Sequence, residues 1–371
     1  MHKKVKKKIK YYYKNILINF FSKVFNKPKI LKKNQYDKSV IENHVNIDNN
    51  KYTIFQLTNG RVYTDSNDTT AYISANNYLS EASLQYSKFD TINSKNNKIS
   101  KNITLQTGTP KFQKRIKGKI LSLLSGGASR DNFTHWFTDV IPRIEIFCKK
   151  FKLQSIDKFY VPSLKHQFQK DSLRILGIKE NQIISTDTHK HIVADKIFAT
   201  SHPCYHLPMS VKKWSLNYLN KIYLTRPYKD KFKKIFIDRD QHKLIKSKDL
   251  YNYRNLRILL NEKEIKDYLL SKGFTILKPE RYTFSEQVKI FSSAEQVVGL
   301  YGAAMMMLSF CKRNTKVLEI KPIRGGNEFL NISKIRKLKH KQINLKPKIK
   351  SSIKQNGLLY CSIKVLQKYI D

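Results

Sequence analysis

The sequence predicts an α/β protein made of two Rossmann-like domains facing a cleft. Two sets of short apolar strands alternate with helical stretches, one beginning at Lys119 and the other at Ile235, and that alternation implies parallel sheets. A Pro- and His-containing connector separates them. The length of 371 residues, with 40% hydrophobic and 12% aromatic content, suffices for two cores and rules out wholesale disorder. The expected divisions are a basic segment (1–50), an amino-terminal α/β domain (51–205), a connector (206–232), a second Rossmann-like domain (233–345) and a closing segment (346–371) whose helix packs back.

Taken in order, Lys3, Lys4, Lys6, Lys7, Lys8, Lys10 and Lys14 precede an apolar patch, Ile16 to Phe25. The combination reads as an amphipathic helix that docks on an anionic membrane surface, or as a solvated terminus. From Lys51 the chain alternates in strand fashion through Thr53, Phe55 and Leu57, and again at Tyr72 and Ile73. Loops rich in Asn and Ser run through 90–102. The first α/β set begins with a buried strand, Ile120 to Leu124, ending at Gly126-Gly127, and continues into a helix from Phe133 to Phe151. Next come a strand (Phe159–Val161), a helix stopped at Gly177 (His166–Leu176) and two strands (Ile183–Ser185, Ile192–Ala199). A helix over Val211–Tyr223 closes the connector. The second set runs strand (Ile235–Ile237), helix (Asn261–Lys272), strand (Phe274–Leu277), helix (Phe284–Ala294), strand (Gln296–Leu300), helix (Ala303–Phe310) and strand (Lys316–Ile320).

The charge is extreme, with 72 Lys+Arg against 28 Asp+Glu for a formal +44. Such a field attracts polyanions, but the lysines are spread along a chain equally crowded with Ile, Asn and Tyr, as an AT-rich coding sequence would produce. A nucleic-acid-binding protein is the rival reading. It lacks a helix-turn-helix, zinc-finger or RNP-like pattern and a confined basic stripe, so no specific nucleic acid is expected. The longest uncharged stretch, Val297 to Cys311, is shorter than the roughly 20 residues a span needs. No secretory leader is evident, and four scattered cysteines without a CxxC pair fit a reducing compartment. A cytoplasmic protein, peripheral on the inner face of the membrane, is expected.

Three segments carry chemistry. In Gly126 to Arg143, His135, Asp139 and Arg143 fall four residues apart and share one helix face. An Asp one turn from a His orients its imidazole, and an Arg one turn on can take a carboxylate or phosphate; Phe133 and Trp136 pack the helix down. In Val297 to Pro322, an apolar strand enters Gly302, Ala303 and Ala304 and then a helix, where small residues and free amides suit a phosphate. Glu319, expected at the carboxyl end of the next strand, is placed to accept a ribose hydroxyl. In Ile235 to Glu262, Arg239 follows a strand and Arg257 precedes a helix, and either guanidinium can clamp a pyrophosphate. His189, His191, His202, Cys204 and His206 lie close in sequence, but their spacing fits no closed zinc pattern. No metal is expected.

Together these segments resemble glycosyltransferase family 61. Asn132-Phe133-Thr134-His135-Trp136 with Asp139 and Pro142-Arg143 is similar to its amino-terminal signature. Arg239, Arg257 with Asn261-Glu262, Gln287, Gly302-Ala303 and Glu319 to Pro322 resemble its carboxy-terminal one. The resemblance covers about 119 to 325 and implies a GT-B arrangement, a nucleotide-sugar donor and inversion at the anomeric carbon. It also implies a glycan or lipid-linked glycan acceptor, as in bacterial capsular polysaccharide biosynthesis, and no cofactor. On that footing His135 is the expected base with Asp139 as its orienter, Asp139 being the fallback base. Asn132, Trp136 and Arg143 are expected at the acceptor side of the cleft. The donor falls to Arg239, Arg257, Gly302, Ala303, Ala304 and Glu319. Two positions depart from the family pattern: Tyr301 stands where a His usually precedes Gly-Ala, and Met307 where an Asn is usual.

Overall fold

The strand Lys114–Ser122 anchors the amino-terminal half of the protein. In this computed structural model the described residues are 2–30, 39–64, 69–85, 102–125, 128–204, 211–229 and 231–370. Gly126-Gly127, His206, most of the expected 90–102 loops and the first residues of the connector lie outside them. The chain forms two units, Met1–Tyr218 and Leu219–Asp371.

In the first unit, Lys114–Ser122 is flanked by parallel partners on both sides, His191–Thr200 and Lys158–Val161, and the latter pairs in parallel with Ile183–Ser185. His191–Thr200 and the carboxyl end of Lys114–Ser122 (Ile120–Ser122) are largely buried, as befits parallel strands covered on both faces, while Lys114–Lys119 reaches the surface. The expectation of a purely Rossmann-like domain needs correction here. His191–Thr200 also pairs antiparallel with Asn50–Thr58 and Arg61–Tyr63, so the alternating segment extends the parallel strands into one mixed sheet of eleven strands among the described residues. Phe55, Leu57, Val62, Tyr72, Ile120, Tyr160 and Ile197 fill one core across this junction. Its buried hydroxyls are satisfied: Tyr72 meets the Ser122 hydroxyl at 2.8 Å, and Tyr160 donates to the His189 carbonyl.

The second unit carries five parallel strands in the spatial order Thr275–Leu277, Lys234–Ile237, Gln296–Leu300, Lys316–Pro322 and Lys339–Leu345. In chain order that is 2-1-3-4-5, a doubly wound sheet whose direction of winding reverses between its first and third strands. Asp238-Arg239 leave the first of these strands and Tyr301-Gly302 the third, on the same edge, with Ile237 opposite Gly299 in the ladder. A small second sheet pairs Arg257–Leu259 with Gly357–Leu359. The helix Ile363–Ile370 buries Leu366 in the core shared with Leu269, Leu318 and Ile320, so the closing segment packs back onto this unit.

Two expected helices take other forms. The Ala303–Phe310 segment is wound as 3-10 turns, opening with the Met305 amide on the Gly302 carbonyl at 2.9 Å. The Phe133–Phe151 helix is broken into a short α-turn (Phe133–His135), a π-turn (Trp136–Val140) and an α-helix (Pro142–Cys148). Pro142 is the cause. Its ring lacks the N–H that would reach the Thr138 carbonyl and would clash with that oxygen in an α-helix. The turn before it widens, and the Ile141 amide bonds to Trp136, five residues back, at 3.1 Å.

Candidate functional site

In the first unit the site is organised by the π-turn. Asn132 caps its approach, accepting from the Thr134 and His135 amides at 2.9 and 3.3 Å. The His135 ring presents Nδ1 to Asp139 Oδ2 at 2.6 Å. Asp139 is fully buried, and its other oxygen accepts the Thr138 hydroxyl at 2.7 Å and the Cys204 thiol at 3.8 Å. His202 Nε2 stands 3.8 Å from Oδ2. Burial alone would push the Asp139 carboxyl up, but the charges that His135 and His202 carry when protonated, with the bonds from His135 and Thr138, outweigh it, and its pKa falls to about 2. Burial, and then the charge of Asp139, push the Cys204 thiol the other way, so it remains a protonated donor.

Asp139, His202 and Cys204 bring three metal-ligating atom types within 4.8 Å of one another. The hydrogen bonding favours a carboxylate cage over a metal seat. His202 Nδ1 accepts the Cys204 amide at 3.1 Å, so in the neutral ring Nε2 carries the proton and aims an N–H at Asp139 rather than a lone pair. The sequence groups these two residues with His189, His191 and His206, the last of which lies outside the described residues. His191 is held to the Lys111 carbonyl at 2.9 Å, and burial lowers its pKa to about 4.

Two expected cleft residues are instead structural. Arg143 has no exposure to solvent. Its Nε donates to the Asp139 carbonyl at 2.9 Å, and a terminal nitrogen donates to the Thr200 carbonyl at 2.7 Å, so it fastens the π-turn to the end of a strand and reaches no ligand. Trp136 is equally buried, its indole N–H on the Ser172 hydroxyl at 2.9 Å. Both were expected at the cleft from the family resemblance. The π-turn carries both into the core.

In the second unit, Arg239 and Arg257 converge on one acceptor at the reversal of the sheet. Each donates to the Tyr301 carbonyl, at 3.1 and 2.5 Å. Arg257 also holds the Gln355 carbonyl at 2.6 Å and the Asn356 side chain at 3.0 Å, and its guanidinium lies 4.5 Å from the centre of the Tyr301 ring. Burial, with the repulsion of Arg257, lowers the Arg239 pKa to about 10; burial lowers Arg257 as well. A Cβ on Gly302 would stand 2.7 Å from an Arg239 nitrogen, so the glycine is what lets the guanidinium lie against the turn. Ala303 and Ala304 continue this turn, half-buried.

Glu319 needs correction. The strand runs on to Pro322, so Glu319 sits in its middle, fully buried, with its carboxylate taken by Gln342 at 2.7 Å and His340 at 3.2 Å. It reaches Arg257 only through its charge. Gln287 is likewise architectural, donating to the Pro279 and Tyr282 carbonyls at 2.9 and 3.0 Å. Gln355, Asn356 and Glu328, which accepts the Tyr301 hydroxyl at 3.0 Å, support the arginines but left no local signal in the sequence. Of the departures from the family pattern, Tyr301 supplies its carbonyl and ring face to the arginines, and Met307 is wholly buried. Asp238 and Asp240 are engaged by lysines, Lys266 at 2.8 Å and Lys278 at 2.6 Å respectively.

The second unit thus gathers two arginines at the reversal of a doubly wound α/β sheet, and the first holds an imidazole–carboxylate pair. The Glycosyltransferase 61 family model matches residues 133–318, half of the chain; the protein belongs to that family and is a glycosyltransferase. No curated protein matches the chain.

The depressed Asp139 carboxyl makes stability pH-dependent. A group whose folded pKa lies below its unfolded value contributes fully above the unfolded pKa and loses that contribution as pH falls through the folded one. For Asp139 the window runs from about pH 4 down to about pH 2. A shift of that size is worth about 2 kcal/mol. Denaturant unfolding across the window is therefore expected to show a steeper loss in the wild type than in Asp139→Asn, by about that amount.

Proposed function

We propose that this glycosyltransferase inverts the anomeric carbon as it moves a sugar from a nucleotide-sugar donor to a glycan or lipid-linked glycan acceptor, in the assembly of a capsular or other surface polysaccharide in the cytoplasm. The observation that carries the reading is the convergence of Arg239 and Arg257 on the Tyr301 carbonyl. Two buried like charges sharing one neutral acceptor are under-neutralised. A diphosphate supplies the missing charge and accepts the remaining donors in a bidentate way. Because these donors are fixed before the reaction, they stabilise the negative charge that develops on the departing nucleoside diphosphate.

The acceptor hydroxyl must lose its proton as it attacks from the opposite face. His135 is the group suited to receive it. Asp139, with its carboxyl lowered to about 2, holds a proton poorly and serves the imidazole instead. With Nδ1 committed to Asp139, the proton passes to Nε2, and the growing imidazolium is stabilised by the carboxylate beside it. The reading takes the two units as the halves of a GT-B enzyme, the amino-terminal one on the acceptor side and the carboxy-terminal one on the donor side. Leaving-group charge falls to the arginines, so no divalent metal is called on.

Arg239→Ala and Arg257→Ala are each expected to weaken nucleoside diphosphate binding roughly 10- to 100-fold, the loss of one charge-assisted pair, as measured by calorimetry on protein of unchanged circular dichroism. Unaltered affinity in both variants would remove the diphosphate from this seat. His135→Asn is expected to lower kcat by about 10²–10⁴ with donor affinity preserved, and Asp139→Asn to lower it less. The reverse ranking in single-turnover assays would make Asp139 the base. Turnover is also expected to survive EDTA; activity lost to the chelator and restored by zinc would turn the Asp139–His202–Cys204 cluster into a metal site.

A further inference from the structure

The amino-terminal helix, His2–Phe25, has two unlike faces. At its carboxyl end Phe21 is buried, edge-on to Phe112 at 4.8 Å, and Phe25 lies edge-on to His191 at 5.4 Å. These contacts fasten the last turn to the first unit. A second apolar row runs along the helix at Val5, Ile9, Tyr12, Ile16, Phe20 and Val24, spaced three or four residues apart, and each of these residues is 48–65% exposed. At about 100° per residue the row lies well round the helix from Phe21 and Phe25. Exposed aliphatic and aromatic side chains that repeat over about five turns are not scattered surface residues; they form one continuous stripe.

The charge around the stripe has a single sign. Lys8, Lys10, Lys14 and Lys23 are exposed on the same helix, Lys27 and Lys29 follow it, and the first acidic residue of the chain is Asp37. No helix among the described residues is long and apolar enough to cross a membrane. On the helical wheel Lys8 and Lys10 border the stripe on either side, Lys23 falls at its carboxyl end and Lys14 on the opposite face, with Tyr12 and Tyr13 at its two edges and no acidic residue among them. Such a stripe matches a lipid surface, where the apolar side chains enter the acyl boundary, the tyrosines sit at headgroup level and the bordering lysines meet anionic headgroups.

We propose that this helix lies in the plane of an anionic membrane, its Val5–Ile9–Tyr12–Ile16–Phe20 stripe inserted among the lipids while Phe21 and Phe25 keep it joined to the first unit. The inference stands on the helix and not on the donor chemistry, so its failure leaves the transferase reading untouched. The full-length protein is expected to float with vesicles of phosphatidylcholine and phosphatidylglycerol in equal parts, to stay behind with phosphatidylcholine alone, and to be released by salt. Ile9→Glu with Ile16→Glu is expected to abolish flotation, and replacing Lys8, Lys10 and Lys14 by Gln to weaken it about a hundredfold, both with unchanged melting temperature. Equal binding to neutral vesicles would overturn the electrostatic part, and flotation that survives the paired glutamates would overturn insertion. Loss of vesicle binding in the wild type, with a dimer in sedimentation that the glutamates dissolve, would replace the membrane by a second copy of the chain.

Discussion

A carboxylate cut off from water must find its compensation within the protein, and the first unit is arranged around that demand at Asp139. Four donors reach its oxygens or stand close to them: the imidazoles of His135 and His202, the Thr138 hydroxyl and the Cys204 thiol. Arg143 adds its charge nearby while tying down the Asp139 carbonyl. An ionised carboxyl without these partners would be far too costly in such a place. With them it fixes one tautomer of His135 and holds the ring in one orientation. The preorganisation of the imidazole is thus a by-product of solving a solvation problem.

The second unit solves the opposite problem. Arg239 and Arg257 are gathered where their charges repel, and the protein supplies a backbone carbonyl and the face of a tyrosine rather than a full counter-ion. Glu319 and Glu328 act on Arg257, and Glu262 on Arg239, through their charge, while one oxygen of Glu319 is taken by His340 and Gln342 and Glu328 accepts the Tyr301 hydroxyl. In the first unit the buried Asp139 carboxylate is met by donors on both oxygens, whereas in the second the two arginines donate to neutral carbonyls and an amide.

Much of this was legible in the sequence. Four of the five parallel strands of the second unit are read from the sequence, most plainly those buried on both faces, as in Ile235–Ile237 and Val297–Leu300. The fifth, Lys339–Leu345, is polar and exposed or half-buried at all but one position, and gives no such signal. The His135–Asp139 contact follows from four-residue spacing even though a π-turn carries it. Other features leave no local trace. The cage around Asp139 needs residues 63 and more positions away, and Arg257 finds Gln355 and Asn356 nearly a hundred residues on. Glu319 was misplaced because a strand's end was set by its last β-branched residue, whereas pairing with Lys339–Leu345 extends it to Pro322. Arg143 and Trp136 were expected at the cleft from the family resemblance, and four-residue spacing could not tell that a guanidinium and an indole go inside when carbonyls and hydroxyls are waiting there.

The widened turn at Trp136–Val140 has a bearing on how this protein can change over generations. A π-turn is an α-helix holding one extra residue, so the spacing between Asn132 and Pro142 is a fixed length. Deleting one residue between His135 and Asp139 would restore ordinary winding there, but it would set Pro142 in a regular helix against a carbonyl its ring cannot approach. It would also cut the His135–Asp139 spacing from four residues to three and disturb their contact, whatever amino acids remained. Substitutions in this stretch can be absorbed one at a time, but a codon lost or gained cannot, and related chains should vary here in letters and never in count.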